Sequence, residues 1–318
     1  MTATIQNISG NLALNQQQRL VSIVEQLTRS EGVLSTEING VELFRFEEPV
    51  SCASGVFEPC ICFVIQGDMK IQLGDHEITH SAMAYMASSV HLPVMRRVTE
   101  ASRERPFIGA KLKVDPQEVA NLLVELGDKA PPLAAPDSCP ECGLSIAQMD
   151  EQMQDALYRL LNLLNSPRDI AILAPSIRRE IIYRALIGEM GSRMRQFSAT
   201  DSQSHRISNV ISILKDQYTK PLRIRELAEA ANMSESTLYH NFKQVTHMSP
   251  LQFQKKLRLL EARRLMLVEG IEAATASYRV GYESPSHFSR EYSRLFGAPP
   301  KADVQNLRGI YAPEPESA

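Results

Sequence analysis

Four of the five cysteines stand in close pairs. Cys139 and Cys142 make a C-x-x-C inside "SCPECG", and Cys60 and Cys62 lie two apart inside "CICFVIQ". Such spacing suits a reversible disulfide or part of a zinc site, and a thiolate so placed is a nucleophile. The surroundings of the two pairs differ. Cys60 and Cys62 share one face of a predicted strand, where a small thiol can equally serve as core filling. Cys139 and Cys142 fall in a Pro-rich stretch, residues 130–142, expected at the surface and open to oxidants or to electrophiles such as aldehydes. All four are signal-sensing candidates. His76, Glu77, His80 and His91 are the other potential ligands near one another in sequence. Their spacing fits no metal motif, so no metal and no cofactor is expected.

A second set of candidate residues is polar and basic. In "IRELAEAANMSESTLYHNFKQV" (224–245), Leu227, Ala228 and Ala231 mark the buried face of one short helix. Asn232 and Met233 make a turn, and Ser234 is a good N-cap for the next helix. There Leu238 and Phe242, four apart, face inward. Ser236, Tyr239, His240 and Lys243 are left outside. The pattern recurs in "VGYESPSHFSREYSRLFGAPP" (280–300): a turn at Gly281, Ser284 as N-cap, Pro285 at the first helical position and a stop at Gly297. Phe288 and Tyr292, with Leu295 or Phe296, form the buried stripe. Ser286, His287, Arg290 and Arg294 point away from it. Each is the pattern of a helix-turn-helix, whose second helix lies in a major groove. Between them, residues 249–270 predict one long amphipathic helix that fixes their separation. If that separation is one turn of DNA, about 34 Å, one chain can enter two successive major grooves.

Charge supports a polyanion at one end only. From Ser202 to Ile310 the chain has 16 Lys and Arg against 10 Asp and Glu; the rest has 18 against 27. The net charge of −3 hides this asymmetry.

Several elements must position these residues. At 318 residues, two domains are expected. Residues 16–28 predict a helix with Leu20, Ile23, Val24 and Leu27 on one face. "VELFRFE" (41–47), "CICFVIQ" (60–66), "MKIQL" (69–73), "MAYMA" (83–87), "HLPVMRRV" (91–98) and "FIGAKLKV" (107–114) predict short strands of a small barrel or sandwich. Gly67-Asp68 and Gly74-Asp75 suit hairpin turns. Helices follow over 117–126, 150–164 and 177–190, and the polar run "SATDSQS" (198–204) predicts a linker. No apolar run approaches the ~18 residues of a membrane span. The N-terminus lacks the basic and apolar regions of a signal peptide, so a cytoplasmic protein with reduced thiols and no membrane partner is expected.

The C-terminal block, above all "VGYESPSHFSREYSRLFGAPP", resembles the DNA-binding domain of the AraC/XylS family of bacterial transcription regulators. Residues 15–195 look like the N-terminal domain of one AraC-type subfamily, through "EPCICFVIQGDMKIQLGD" and "LNSPRDIAILAPSIRREIIYRALIG". The resemblance implies an α+β chain: a flexible N-terminus (1–14), a cupin-like β-barrel with flanking helices for sensing and dimerisation (15–197), a linker (198–205), an all-α domain of two helix-turn-helix units (206–310) and a tail (311–318). By the same resemblance, Ser236, Tyr239, His240, Ser286, His287 and Arg290 align with base-reading positions. Arg290 is best suited to guanine, through its paired donors. Lys243, Ser284 and Arg294 look like phosphate contacts. Promoter DNA, RNA polymerase and a second copy of the chain are the implied partners. The implied function is a nucleoid-associated activator answering a small-molecule or thiol-reactive signal, the small molecule lying inside the barrel. A cupin-like metalloenzyme fused to a DNA-binding domain, and a DNA-binding protein whose N-terminal half only dimerises, are the alternatives.

Overall fold

The computed structural model describes residues 16–130, 132, 142–199 and 202–311. The expected flexible N-terminus, Cys139, the middle of the linker and nearly all of the tail lie outside the described residues. The chain opens with helix α1 (16–27) and continues through ten strands. These are β1 (Gly32–Ser35), β2 (Val41–Phe46), β3 (Ser51–Phe57), β4 (Cys60–Gln66), β5 (Asp68–Leu73), β6 (His76–His80), β7 (Ala84–Ser88), β8 (Leu92–Glu100), β9 (Phe107–Lys113) and, after helix α2 (Pro116–Leu126), β10 (Leu144–Gln148). They form two antiparallel sheets, β1-β2-β9-β4-β7-β10 and β3-β8-β5-β6, which do not close into a barrel.

That division corrects one turn assignment. Gly74 and Asp75 do make a two-residue hairpin, with Leu73 paired to His76 and Gly74 at φ 64°. Gly67, at φ 79°, instead carries the chain from β4 in one sheet to β5 in the other. A glycine signals the turn; it does not say which sheets the turn joins.

The sheets pack face to face over Phe44, Phe46, Phe57, Val64, Met69, Ile71, Met86, Val94, Val98 and Phe107. The outer face of the larger sheet is covered by α1, α2, α3 (Glu151–Asn162), α4 (Pro167–Ile187) and α5 (Gly191–Ser198), which bury Leu20, Leu157, Leu161, Ile181 and Met194 against Leu43, Ile61, Phe63 and Leu112. Burial on both faces explains why β4 reads as a continuous apolar run. It also places Cys60 and Cys62 in the interior, as small core residues.

The C-terminal part is helical: α6 (Gln203–Asp216), α7 (Ile224–Ala230), α8 (Glu235–Thr246), α9 (Pro250–Val268), α10 (Ala273–Arg279), α11 (Pro285–Phe296) and α12 (Pro300–Tyr311). Helices α6–α8 pack over Ile207, Val210, Leu227, Leu238 and Phe242, and this cluster is continuous with the core between the sheets. Helices α10–α12 have their own core around Ala276, Val280, Phe288 and Tyr292. Helix α9 serves both: Phe253 and Leu257 belong to the first cluster, Ala262, Leu265 and Met266 to the second.

Candidate nucleic-acid interface

The second helix of each helix-turn-helix unit is set by local chemistry. Asn232 takes a left-handed conformation, φ 50°, in the turn before α8, and the Ser234 hydroxyl accepts from the Thr237 N–H at 3.2 Å. Gly281, φ 90°, makes the matching turn before α11, where the Ser284 hydroxyl accepts from the His287 N–H at 3.3 Å. These caps satisfy backbone donors left over at a helix start. A Cβ on Gly281 would stand 2.3 Å from the Thr219 carbonyl oxygen, so the turn excludes any side chain.

Below the caps, Leu238, Phe242, Phe288 and Tyr292 are fully buried. The opposite faces are open. Ser236, Tyr239, His240 and Lys243 on α8 are exposed, as are Ser284 before α11 and Ser286, His287, Arg290 and Arg294 along it. All nine residues expected to meet DNA therefore lie on solvent-facing surface. Ser284 spends its hydroxyl partly on the cap, and His287 is held at its edge by Glu291 (3.4 Å) and by the Tyr282 ring.

The framework includes residues that the local pattern did not single out. Arg258 on α9 donates from Nε to the Tyr218 carbonyl (2.7 Å), from Nη2 to the Thr219 and Lys220 carbonyls (3.1 and 2.9 Å) and from Nη1 to the Gly281 carbonyl (2.9 Å). One guanidinium thus ties the loop after α6, in the first unit, to the turn of the second. Glu291 accepts from Lys255 on α9 and from the Tyr282 hydroxyl (2.9 Å), closing a second link between α9 and α11. Burial pushes its carboxyl pKa up, but these donors outweigh it and hold it below the usual range. Arg263 grips Asp303 with two bonds, 2.8 and 2.6 Å, and Tyr292 donates to the same carboxylate at 2.6 Å. Lys243 and Arg294 line one cleft of about 430 Å³ with Lys255 and Lys256, so cations of both units converge beside α9.

The sheets touch the first unit at the C-terminal end of α8, where Gly74 and Asp75 line the same cleft as Lys243 and Arg294. The Gly143 N–H donates to the Val245 carbonyl at 3.0 Å, and the β5–β6 turn meets His247, the left-handed C-cap of α8. The His76 and His247 rings stack with centroids 4.7 Å apart. Lys215 donates to His91 Nε2 at 2.9 Å. His80 is buried between strands, with Nε2 donating to the Ala84 carbonyl at 3.1 Å. The histidines considered as ligands are thus spread over different contacts, and among the described residues no three His, Cys, Asp or Glu side chains converge on a possible metal position. Cys142 is half-buried against the core rather than fully exposed. No helix among the described residues is long and apolar enough to cross a membrane.

Comparison with known proteins agrees with this arrangement. A family model described as "AraC-type transcriptional regulator N-terminus" matches residues 37–193, and one described as "Helix-turn-helix domain" matches residues 227–306. The HTH-type transcriptional activator RhaS of Pectobacterium carotovorum is 25% identical over 152 residues, 48% of this chain and 53% of that protein. The HTH-type transcriptional regulator GbdR of Pseudomonas aeruginosa is 26% identical over 134 residues, 42% of this chain and 36% of that protein. The chain thus spans about half or less of the length of these curated relatives. In fold it is similar to Vibrio cholerae ToxT, solved with an unsaturated fatty acid bound, at a TM-score of 0.57 and 13% identity over 87% of this chain and 97% of that one. With the two family models matched in order along most of its length, and the fold shared from the sheets to the last helices, the chain belongs to the AraC-type family of transcriptional regulators.

Proposed function

We propose that this chain is a non-enzymatic, sequence-specific DNA-binding protein that activates transcription from promoters. The observation that carries the reading is the pair of capped helices, α8 and α11, each with a buried stripe and an open polar face, on either side of α9, whose Arg258 ties the loop after α6 to the Gly281 turn before α11. Ser236, Tyr239, His240, Ser286, His287 and Arg290 are the base-reading set; Lys243, Ser284 and Arg294 position the phosphate backbone. Activation is inferred from RhaS, described as an activator, and implies contact with RNA polymerase in the cytoplasm. The N-terminal domain receives a small-molecule or thiol-reactive signal and pairs two copies of the chain. Its docking on α8 through Gly143 and His247 offers a direct route for that signal, a coupling of typically ~1–3 kcal/mol.

Fluorescence polarisation with genomic promoter fragments tests the reading. Affinity should fall steeply with salt, as phosphate contacts require. Arg290→Ala should weaken the best fragment by about 1–3 kcal/mol and relax preference at one base pair. A full chain that binds every duplex alike at physiological salt, or an alanine variant that reads its site as before, removes the assignment of α11.

A further inference from the structure

Cys60 and Cys62 are placed for more than packing. Their sulfurs lie 3.7 Å apart, and Cys60 and Cys62 are 1% and 4% exposed, so a reagent needs a path to them. A cavity of about 360 Å³ reaches the Cys60 end of the pair. Cys60 stands in its wall with Ser88 on the neighbouring strand, Val119 on α2, Phe197 on α5, and Ser208 and Ser212 on α6. The cavity thus sits where the larger sheet meets the helix that opens the first helix-turn-helix unit. Its size is within the range of small-molecule sites.

The pair is also chemically primed. The hydrogen bond between the two sulfurs holds the Cys62 thiol below its usual value against the opposing effect of burial, with the Arg96 and Lys111 cations adding to the pull. Cys60 is pushed up by the same bond and by burial. The bond between the two sulfurs thus moves their pKa values in opposite directions, and Cys60 is the member that borders the cavity.

We propose that Cys60 and Cys62 are a redox switch, oxidised to a disulfide by a small hydroperoxide that enters through this cavity. The thiolate of the pair attacks one peroxide oxygen; the O–O bond breaks, giving a sulfenic acid and an alkoxide that takes up a proton. The second thiol then attacks the sulfenic sulfur, the S–S bond forms, and its proton leaves with the hydroxyl as water. Two electrons pass from the thiols to the peroxide. Residues two apart on a strand have Cα atoms ~6.6 Å apart, near the upper end of the ~4.4–6.8 Å that a disulfide tolerates. Closing the bond therefore pulls on the start of β4, where Cys60 pairs with both Ser88 and Lys113, and moves the cavity wall against α6.

The proposal rests on the reading of the chain as a DNA-binding regulator with its signal received in the N-terminal domain. Its test is the full chain carrying Cys52→Ala, Cys139→Ala and Cys142→Ala, treated with hydrogen peroxide, trapped with N-ethylmaleimide and analysed by peptide mass spectrometry. The peptide bearing Cys60 and Cys62 should lose two hydrogens, take up no maleimide and recover with dithiothreitol. Ser208→Phe, which fills the cavity, should slow the reaction several-fold; Ser212→Phe serves if the first variant does not fold. A pair that stays reduced, or that oxidises as fast with the cavity filled, overturns the proposal. DNA affinity is measured on the same samples. A reduced chain that binds no promoter defeats the DNA-binding reading and leaves the thiol result standing. A reduced chain that binds, and binds equally well after oxidation, defeats the switch alone.

Discussion

Asp303 and Arg263 are 40 residues apart in sequence and almost wholly buried together, each side chain 9% exposed. The Tyr292 hydroxyl completes the carboxylate's partners, and the Arg263 guanidinium also lies 4.3 Å from the Phe296 ring centroid. A buried pair of this kind is weak evidence of net stabilisation, yet removing one partner leaves an uncompensated charge. Asp303→Asn should therefore cost the C-terminal region about 3–5 kcal/mol, read as a shift in urea midpoint at constant slope. A loss below ~1 kcal/mol would mean that water reaches Arg263 and the clamp is not what holds α12 to α9. The contrast with the caps shows what the sequence makes legible at this scale. Ser234, Asn232, Ser284 and Gly297 act on backbone within four residues, so their type and spacing announce them. Asp303 acts across the fold, and no local pattern marks it out from any other surface-type residue.

The same distinction governs the elements. Helices α8 and α11 carry strong periodic stripes and clear boundaries, and their extents match expectation closely. Strands β1, β3, β6 and β10 escaped detection. β1 is four residues long and largely exposed at a sheet edge, and β6 shows little alternation, so neither carries much periodic signal. Helix α4 begins ten residues earlier than expected because Pro175 interrupts its pattern without ending it. Helix α9 was legible as long, but its function as a joint was not. Its buried residues run around the helix because two cores share it, and Arg258 projects to both units. Arg258→Met keeps most of the stem and removes four carbonyl contacts. Each unit should keep its own reading face, so affinity for a duplex with one half-site should hold. Affinity for a duplex with both half-sites should drop by roughly 1.5–3 kcal/mol, the scale of hydrogen bonds to a charged donor. Equal losses on both duplexes would show that the arginine stabilises one unit and does not set the distance between them.

For the whole molecule, the expected separation of a sensing half and a DNA-binding half is only partly realised. The core between the sheets runs on into the core of the first helix-turn-helix unit, and the second unit has a core of its own. Composition and linker signals mark where the chain changes character, but they carry no information about which surfaces dock. Two imidazoles, His91 and His247, stand in that docking beside the shared core. Burial lowers the His91 pKa first and the facing Lys215 lowers it further, while Glu58 and Asp216 raise it and Lys113 opposes them. Burial also lowers the His247 value, with His76 and Lys243 adding to the fall and Asp75 resisting it. Both folded-state values lie below the ordinary ~6.5, so the contacts contribute fully above that pH and are lost as pH falls through the folded-state values. Acidification places charge on His91 beside the Lys215 ammonium, and on His247, whose ring stacks on that of His76. Amide exchange over residues 211–216 and 243–248, corrected for the intrinsic acid dependence of the chemistry, should accordingly show faster opening at pH 5.5 than at pH 7.5. The exposed starts of α8 and α11 should change little. His91→Phe, which cannot charge, should remove the part of the effect seen around Lys215. If protection over both segments is the same at the two pH values, the sheets are held to α8 by their shared apolar core and the Gly143–Val245 hydrogen bond, whatever the charge of the imidazoles.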